Sequence, residues 1–585
     1  MNGRIEIKEH LLIGLDSMDK ETKITREILI FGLILMAALL LRLTLLGRSP
    51  LVGSEAVWAF QAWQIHLGEH FPIGSQVGYL AFTEILFSLF GGNDFLARFW
   101  PVLIGSLIVW VPFILRKRLG QTPALILAAG LAFDPAMTSV SRIAGSAVPA
   151  LVFLLLAAAA FDVGKLRWLV IFLGLGLFSG PAFWLGSLLL FLTLFGSSLL
   201  GLIDLGSYVK KRLAIFRSGT GLLPGALEAL STPLLLIMLV GSFFLRNFQG
   251  LSAWAGSLPE FFSGLFLFNG CLAPRLLINL VVSNPFILIF GISGFIFAWR
   301  KDDQIGKISS IWFALSLLIL LIIPGRQAAD LIWLVFPLWV AAARELLRMY
   351  QLAKDSWVVY AIAGLIGVLI VLNWLTFTGM IFQAGNSKAV LLQLGLIAAS
   401  LALMILSMTI AASEWGWPVS LKGLGLGSGI MLLVYMLSAS VQGSYLSQGD
   451  PRSLWSDGSG AGQTRLLQES IYDASITYTG RGDAIRGVVL GSWDILRWEL
   501  RGLEGFEYQE SLSSDDMPPL IITSGMDYSL VDQEMYRGQD FVLETRPGWD
   551  GIIPADWISW IAFRSGLVEK EDIILWIRND IYSGY

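Results

Sequence analysis

A short stretch near residue 50 concentrates the side chains able to do chemistry. Arg42 lies inside the first apolar run, near its far end, and is followed by Arg48 and by Ser54-Glu55-Ala56. An arginine at mid-bilayer costs on the order of 2.5–3.5 kcal/mol on insertion scales. Such a residue either snorkels its guanidinium to the headgroups or faces a polar cavity, where it would bind a lipid phosphate. Glu55 follows a loop and precedes the helix-like AVWAFQAW. It is either a helix N-terminal acid, favoured by the helix dipole, or a general base at the membrane surface. Arg98 opens the second apolar run, Asp134-Pro135 lies near the outer end of the third, and Ser141-Arg142 follows it. An acid at Asp134 is expensive unless it lines a cavity or pairs with a cation, and Arg142 is the expected partner. Glu84, in AFTEILF, is a second candidate buried acid, and Arg246, Arg275 and Arg326 add positive charge on the same side. Glu69-His70 is a weak metal pair.

The elements that must position these residues follow from composition. Of 585 residues, 55% are hydrophobic and 14% charged, with 22 Trp, and mean hydropathy is +0.70. Soluble domains carry roughly 25% charged residues, so a polytopic membrane protein is the reading. A span needs roughly 20 apolar residues. About thirteen runs qualify. The first six are 28–46, 96–115, 122–140, 146–161, 168–181 and 182–202. The others are 230–245, 276–298, 309–324, 331–343, 357–378, 389–412 and 424–441. Alternate loops hold roughly 21 Lys and Arg against about 7 on the other side, which makes the first side cytoplasmic. The N-terminus is then inside and the C-terminal tail outside, in a plasma-membrane protein. The opening segment is mixed-charge and polar, unlike a cleaved leader.

The net charge of −4 conceals an asymmetry and argues against nucleic acid as a partner. From Gln442 the tail carries 23 acidic and 11 basic residues, net −12, which leaves +8 for the membrane part. One cysteine and three histidines argue against thiolate zinc and His-rich metal centres. No Walker A or dinucleotide fingerprint is present, so cytosolic ATP is not indicated.

The sequence divides into a membrane part (1–441), a Gly/Ser/Asp-rich linker (442–463) and an α/β domain (464–585). The outer segment 47–95 holds two moderately apolar stretches, 57–66 and 79–90, that read as short interfacial helices. The segment 246–275, rich in Phe, Trp and Gly, is suited to cover or gate a cavity. In the tail, 464–477 reads as helix, as does WDILRWELRG; AIRGVVLG, PLIIT and IILWI read as strands. The fold class is therefore mostly α and polytopic, with a small α/β domain outside the membrane.

Arg42, Pro50, Ser54-Glu55-Ala56, Gly68…Pro72, Arg98, Asp134-Pro135 and Ser141-Arg142-Ile143-Ala144 together resemble the GT-C superfamily of membrane glycosyltransferases. The nearest likeness is to the protein-mannosyltransferase-like group, glycosyltransferase family 39. The resemblance implies a GT-C-like fold with an outward-facing cavity. A polyprenyl-phosphate sugar would bind there and pass its sugar to a hydroxyl of a glycan or protein acceptor. It also implies substrate contacts from Arg42, Ser54, Glu84, Arg98, Asp134, Arg142 and Arg326, with Glu55 as the catalytic base of an inverting reaction. Arg42, Arg142 or Arg326 would stabilise the leaving phosphate. No cofactor is required by the pattern, and a divalent metal stays open. The sequence departs from the family at two acids. Ser54 stands where the first is expected, and the second falls on or beside Ser146 or Ala147. Either Glu55 or Glu84 replaces them, or the chain binds lipid-linked glycans without transfer. A transporter or flippase is the third reading.

Overall fold

The computed structural model describes residues 26–581 except 70, 221, 269, 354–356, 384–386, 456–458, 513–515, 527–530 and 550–551. The expectation about a leader, and His70, lie outside the described residues. The first helix, α1 (26–43), leads into a turn and then α2 (Ser54–Leu67) and α3 (Val77–Phe90), the two short helices expected in the outer segment. Gly68 ends α2 with φ 76°, its N–H returning to the carbonyls of Gln64 and Ile65, as a glycine cap does. Asn93 caps α4 (Asp94–Ser106) by accepting from Leu96 N–H at 2.8 Å. A single 3-10 turn joins α4 to α5 (Trp110–Leu119), and together they form a 26-residue candidate span.

The chain then bends. α6 (Gln121–Phe133) and α7 (Pro135–Ser141) meet at 50°. Proline disfavours helical backbone at the residue before it, and Asp134 sits at φ −67°, ψ 132°. Next come α8 (Val148–Val163), α9 (Leu166–Leu177), α10 (Pro181–Leu199), α11 (Leu205–Thr220), α12 (Leu222–Gly241) and α13 (Gln249–Gly264). The break expected at Gly180-Pro181 falls between α9 and α10, where Gly180 takes φ 71°. α14 (Ala273–Ser283) and α15 (Pro285–Lys301) bend by 93° at Asn284, again before a proline. The sequence reads as straight spans over 122–140 and 276–298; both are broken for this reason. Long helices complete the membrane part: α16 (Gln304–Ile322), α17 (Ile332–Ala353), α18 (Trp357–Phe382), α19 (Ser387–Trp415) and α20 (Trp417–Val441).

Among the described residues, six helices are long and apolar enough to cross a membrane, or up to eight if each bent pair is one span. The expected thirteen is not reached by this measure. α8, α9 and the apolar end of α12 are shorter than the roughly 20 residues of a straight crossing. Small residues let the helices close. Gly130 on α6 leaves the place that the Trp339 ring occupies, and Gly186 on α10 leaves that of Trp333. Both tryptophans are fully buried.

The tail forms a six-stranded mixed sheet in the order β1-β5-β6-β4-β2-β3. Its strands are β1 (Gly460–Ala461), β2 (Gly487–Leu490), β3 (Phe506–Gln509), β4 (Leu520–Ser524), β5 (Tyr536–Pro547) and β6 (Val568–Arg578). β2 runs parallel to β3 and β4, and the remaining pairs are antiparallel. Three helices accompany it: α21 (Thr464–Thr479), α22 (Asp494–Glu499) and α23 (Trp557–Phe563). Buried residues of α21, α22 and one sheet face share a single apolar cluster with α2 and α3, running from Ala59 and Phe87 to Leu496 and Trp498. The Phe87 and Trp498 rings stack at 5.7 Å.

Candidate functional site

Glu55 enters in the first turn of α2 and is buried. Arg98 on α4 meets it with both arms of the guanidinium, Nε to Oε1 at 2.8 Å and Nη2 to Oε2 at 2.6 Å. Ala144 N–H adds a third donor to Oε1 at 2.8 Å. The rest of Arg98 donates to the carbonyls of Leu46, Ser49 and Pro50. The pair therefore fastens the turn before α2 to α4 and to the start of α8's approach. Bidentate geometry of this kind is strong and directional.

Three of the arginines expected at a phosphate stand at the ends of helices. A helix leaves its last carbonyls without intrahelical partners, and in a low-dielectric setting each must find a donor. Arg42 donates to Leu131 and Ala132 at the end of α6, at 3.2 and 2.8 Å, as well as to Ala38 and Ser141 Oγ. Arg142 donates to Arg42 and Thr44 carbonyls at the end of α1, at 2.6 and 2.9 Å. Arg326 donates to Leu320 and Leu321 at the end of α16 and to Cys271 across the turn. The sequence shows a cation near a membrane face; it does not show that a bent or ended helix waits for it.

The acids are also engaged. Asp134 caps α7, accepting from Ala136 and Met137 N–H at 2.9 and 3.0 Å, and takes the Trp339 Nε1–H at 2.8 Å. These three donors take the place of the ion pair with Arg142 expected from sequence. Glu84 on α3 pairs with Arg246 at 2.6 Å and accepts from Ser88 at 2.8 Å. It links α3 to the segment after α12 and does not line the pocket described next. Among the described residues no group of three His, Cys, Asp or Glu could hold a metal ion.

Of the sequence-nominated residues, Ser54, Glu55 and Arg142 come together around a void of ≈ 70 Å³. Its walls are the start of α2, the α7 end with Ser139 and Arg142, and chain from Gly443 to Trp455, with Ser459 at the rim. Arg142 is 2% exposed, stacks its guanidinium 5.3 Å from the Tyr445 ring and donates Nη2 to Gln448 Oε1 at 2.8 Å. Its Nε–H and the Ser139 hydroxyl are buried without a partner among the described residues. A buried donor left unmatched is costly, about 1–3 kcal/mol, unless a ligand or water meets it. Such a pair of donors, with the N-terminal turn of α2, makes an anion-receiving corner. Sequence reasoning missed the wall formed by 443–455 and Ser459, which it assigned to a linker; its Gly, Ser and Gln residues carry no apolar or charge signal.

The tail closes over this region. Gly53 N–H donates to Glu544 Oε1 on β5 at 3.3 Å, and Arg465 Nη2 donates to the Gly47 carbonyl at 2.8 Å. The Gly92–Asp94 corner receives Arg501 Nη2 on the Gly92 carbonyl at 2.6 Å and Trp498 Nε1–H on Asp94 at 2.9 Å. Beside it, Glu499 accepts from Gln468 at 2.6 Å, and burial followed by the charge of Asp94 pushes its carboxyl up to about 7.

The chain shares its overall fold with a protein of solved structure. ArnT from Cupriavidus metallidurans bound to undecaprenyl phosphate superposes with TM-score 0.53 at 14% identity, over 95% of this chain and 99% of that one. The apo state of the same protein gives 0.51 at 13% identity, over 96% and 100%. An oligosaccharyltransferase from Archaeoglobus fulgidus reaches 0.43 at 13% identity, over 94% of this chain and 75% of that one. No family model matches the sequence, and no curated protein does.

Proposed function

We propose that the protein transfers a sugar from a polyprenyl-phosphate donor to an acceptor hydroxyl at the outer face of the membrane. The observation that carries this is the corner formed by the buried, unpartnered Nε–H of Arg142, the Ser139 hydroxyl and the start of α2. Support comes from the shared fold with a structure that holds undecaprenyl phosphate. In the reaction the acceptor oxygen attacks the anomeric carbon, the bond from that carbon to phosphate oxygen breaks, and configuration inverts. Arg142 meets the charge that develops on the departing phosphate. Glu55, nominated as base, is read as the anchor that orients Arg98 and the pocket wall, because three N–H donors hold its carboxylate. Arg42, Arg98, Asp134 and Arg326 shape the scaffold, and Glu84 braces α3.

The reading includes a topology. About thirteen crossings follow if α1, the bent pairs, α8, α9, the end of α12 and α17 cross along with the six long spans. The N-terminus is then cytoplasmic, the membrane part ends near 441, and 464–585 stands outside the cell membrane as a domain. A glycan or a protein serves as acceptor.

The test is purified protein in lipid nanodiscs, with undecaprenyl phosphate binding followed by tryptophan fluorescence and transfer followed with a panel of undecaprenyl-phosphate sugars. Saturable binding that Arg142→Gln weakens about tenfold or more, with transfer by the wild type, supports the proposal. Unchanged binding in Arg142→Gln overturns the pocket. A second reading, binding without transfer, is favoured by Ser54 at the expected acid and by the clamped Glu55; it predicts binding and no product.

A further inference from the structure

The rim of the pocket is built from both ends of the chain. β1 pairs with β5 so that Ala461 faces Glu544 and Gly460 faces Thr545. This register brings β5 against the residues just before α2. Gly53 there has φ 51°, and a Cβ on it would meet Ser459 Oγ at 3.3 Å. The Gly53 backbone thus meets the Ser459 and Glu544 side chains, and Gly53 N–H reaches Glu544 Oε1. Gly53, Ser54 and Ser459 all line the void.

Sugar transfer to a hydroxyl needs a group to take a proton. The three acids that the sequence nominates in the membrane part are engaged: Glu55 by Arg98 and Ala144, Asp134 by two N–H groups and Trp339, Glu84 by Arg246. Glu544 has one hydrogen-bond donor among the described residues, the Gly53 N–H. The charged groups that act on it are Glu571 on β6, Arg546 on its own strand and Asp494 on α22. Arg546 is itself paired with Glu571 at 2.9 Å. Burial first, and then Glu571 and Asp494, raise the Glu544 carboxyl above the ordinary range, against the pull of Gly53 N–H and Arg546. A carboxylate placed this way is a better base than a solvated one.

We propose that the tail domain supplies the proton acceptor of the reaction, through Glu544, which is held against Gly53 of the pocket wall. This rests on the transfer reading above. The acceptor O–H gives its proton to the Glu544 carboxylate as its oxygen bonds to the anomeric carbon. The electron pair of the breaking carbon–oxygen bond leaves with the polyprenyl phosphate. Ser54, which lacks useful basicity, is then free of that duty.

The experiment uses the full chain in nanodiscs and compares wild type, Glu544→Gln and Glu544→Asp. Gln keeps the oxygen that accepts from Gly53, so folding is preserved. Expected for Glu544→Gln is a loss of transfer of about 10²-fold or more, with undecaprenyl phosphate binding within about twofold of wild type. The acid limb of the wild-type pH–rate profile should vanish in Glu544→Gln and persist, at lower rate, in Glu544→Asp. Transfer by Glu544→Gln within about threefold of wild type overturns the base while leaving the transfer reading intact. A parallel loss of binding in Glu544→Gln also overturns it, as a structural role. A wild type that binds the lipid and transfers no sugar of the panel overturns both readings and leaves the phosphate pocket standing.

Discussion

Arg142 Nη1 donates to the backbone carbonyl of Arg42 at 2.6 Å, while the Arg42 side chain reaches the carbonyls of Leu131 and Ala132. Each arginine thus closes a helix, and one of them is closed by the other. The two differ in what remains. Arg142 keeps a buried, unpartnered Nε–H beside the pocket, whereas Arg42 does not line it.

That difference separates two substitutions. Arg42→Gln should destabilise the protein by about 1–3 kcal/mol, since it orphans buried carbonyls. It should leave the affinity for undecaprenyl phosphate unchanged in the folded fraction. Arg142→Gln should destabilise similarly and weaken binding as well. Thermal unfolding in micelles and fluorescence titration on the same samples check both, and a loss of affinity in Arg42→Gln would refute the division.

The Arg98–Glu55 pair is buried, so removing one partner strands the other. Arg98→Met should cost about 3–5 kcal/mol in unfolding free energy. Adding Glu55→Gln should recover part of that loss, because the uncompensated charge disappears. The comparison is a double-mutant cycle by chemical denaturation. Equal stability of the single and double variants would show that the backbone bonds of Arg98 to Leu46, Ser49 and Pro50 carry the effect instead.

Glu499 gives the tail a pH dependence whose sign is fixed by its shift. Its carboxyl is raised from the usual 4.5 to about 7, so the folded state favours the protonated form. The stabilising contribution is full below pH 4.5 and is lost as pH rises through 7. It amounts to about 3 kcal/mol at most. Protection factors for hydrogen exchange at the Gly92–Asp94 corner, corrected for intrinsic base catalysis, should fall between pH 5 and about 8 in the wild type. Glu499→Gln should remove the change, and a variant that keeps it would place the titration elsewhere.

Gly130 is tied to Trp339. A methyl at this position falls within the ring, so Gly130→Ala should cost about 1–3 kcal/mol and loosen the Trp339 bond to Asp134. Near-ultraviolet circular dichroism and melting temperature report it; an unshifted melting curve would mean that the ring has room to move.

The elements were legible where local chemistry decides them. Gly180-Pro181 announces a break, Leu520–Ser524 is an apolar run, and Ser54–Leu67 follows a turn. β5 escaped because YRGQDFVLETRP is polar along most of its length; only its pairing with β6 makes it a strand. The arginine partners escaped for a related reason. Arg42 meets acceptors 89 and 90 residues away, and Arg142 meets Gln448 at a separation of 306. Sequence shows that such charges need partners, while tertiary structure selects which. The acid that meets Gly53, Glu544, lies on a strand with no motif to mark it.

The shared cluster of α2, α3 and α22 has a consequence for biosynthesis. Asp94 and its partner Trp498 lie 404 residues apart in the chain. Ala59, Ala62 and Phe87 leave the ribosome long before Leu496 and Trp498, which finally cover them. In the topology proposed above, the nascent protein must hold an uncovered apolar patch outside the bilayer until residues 494–499 have been exported. On that proposed topology, export of the tail is the closing step of assembly, and a chain truncated before residue 494 would present that patch to whatever folding helpers or proteases patrol the cell surface.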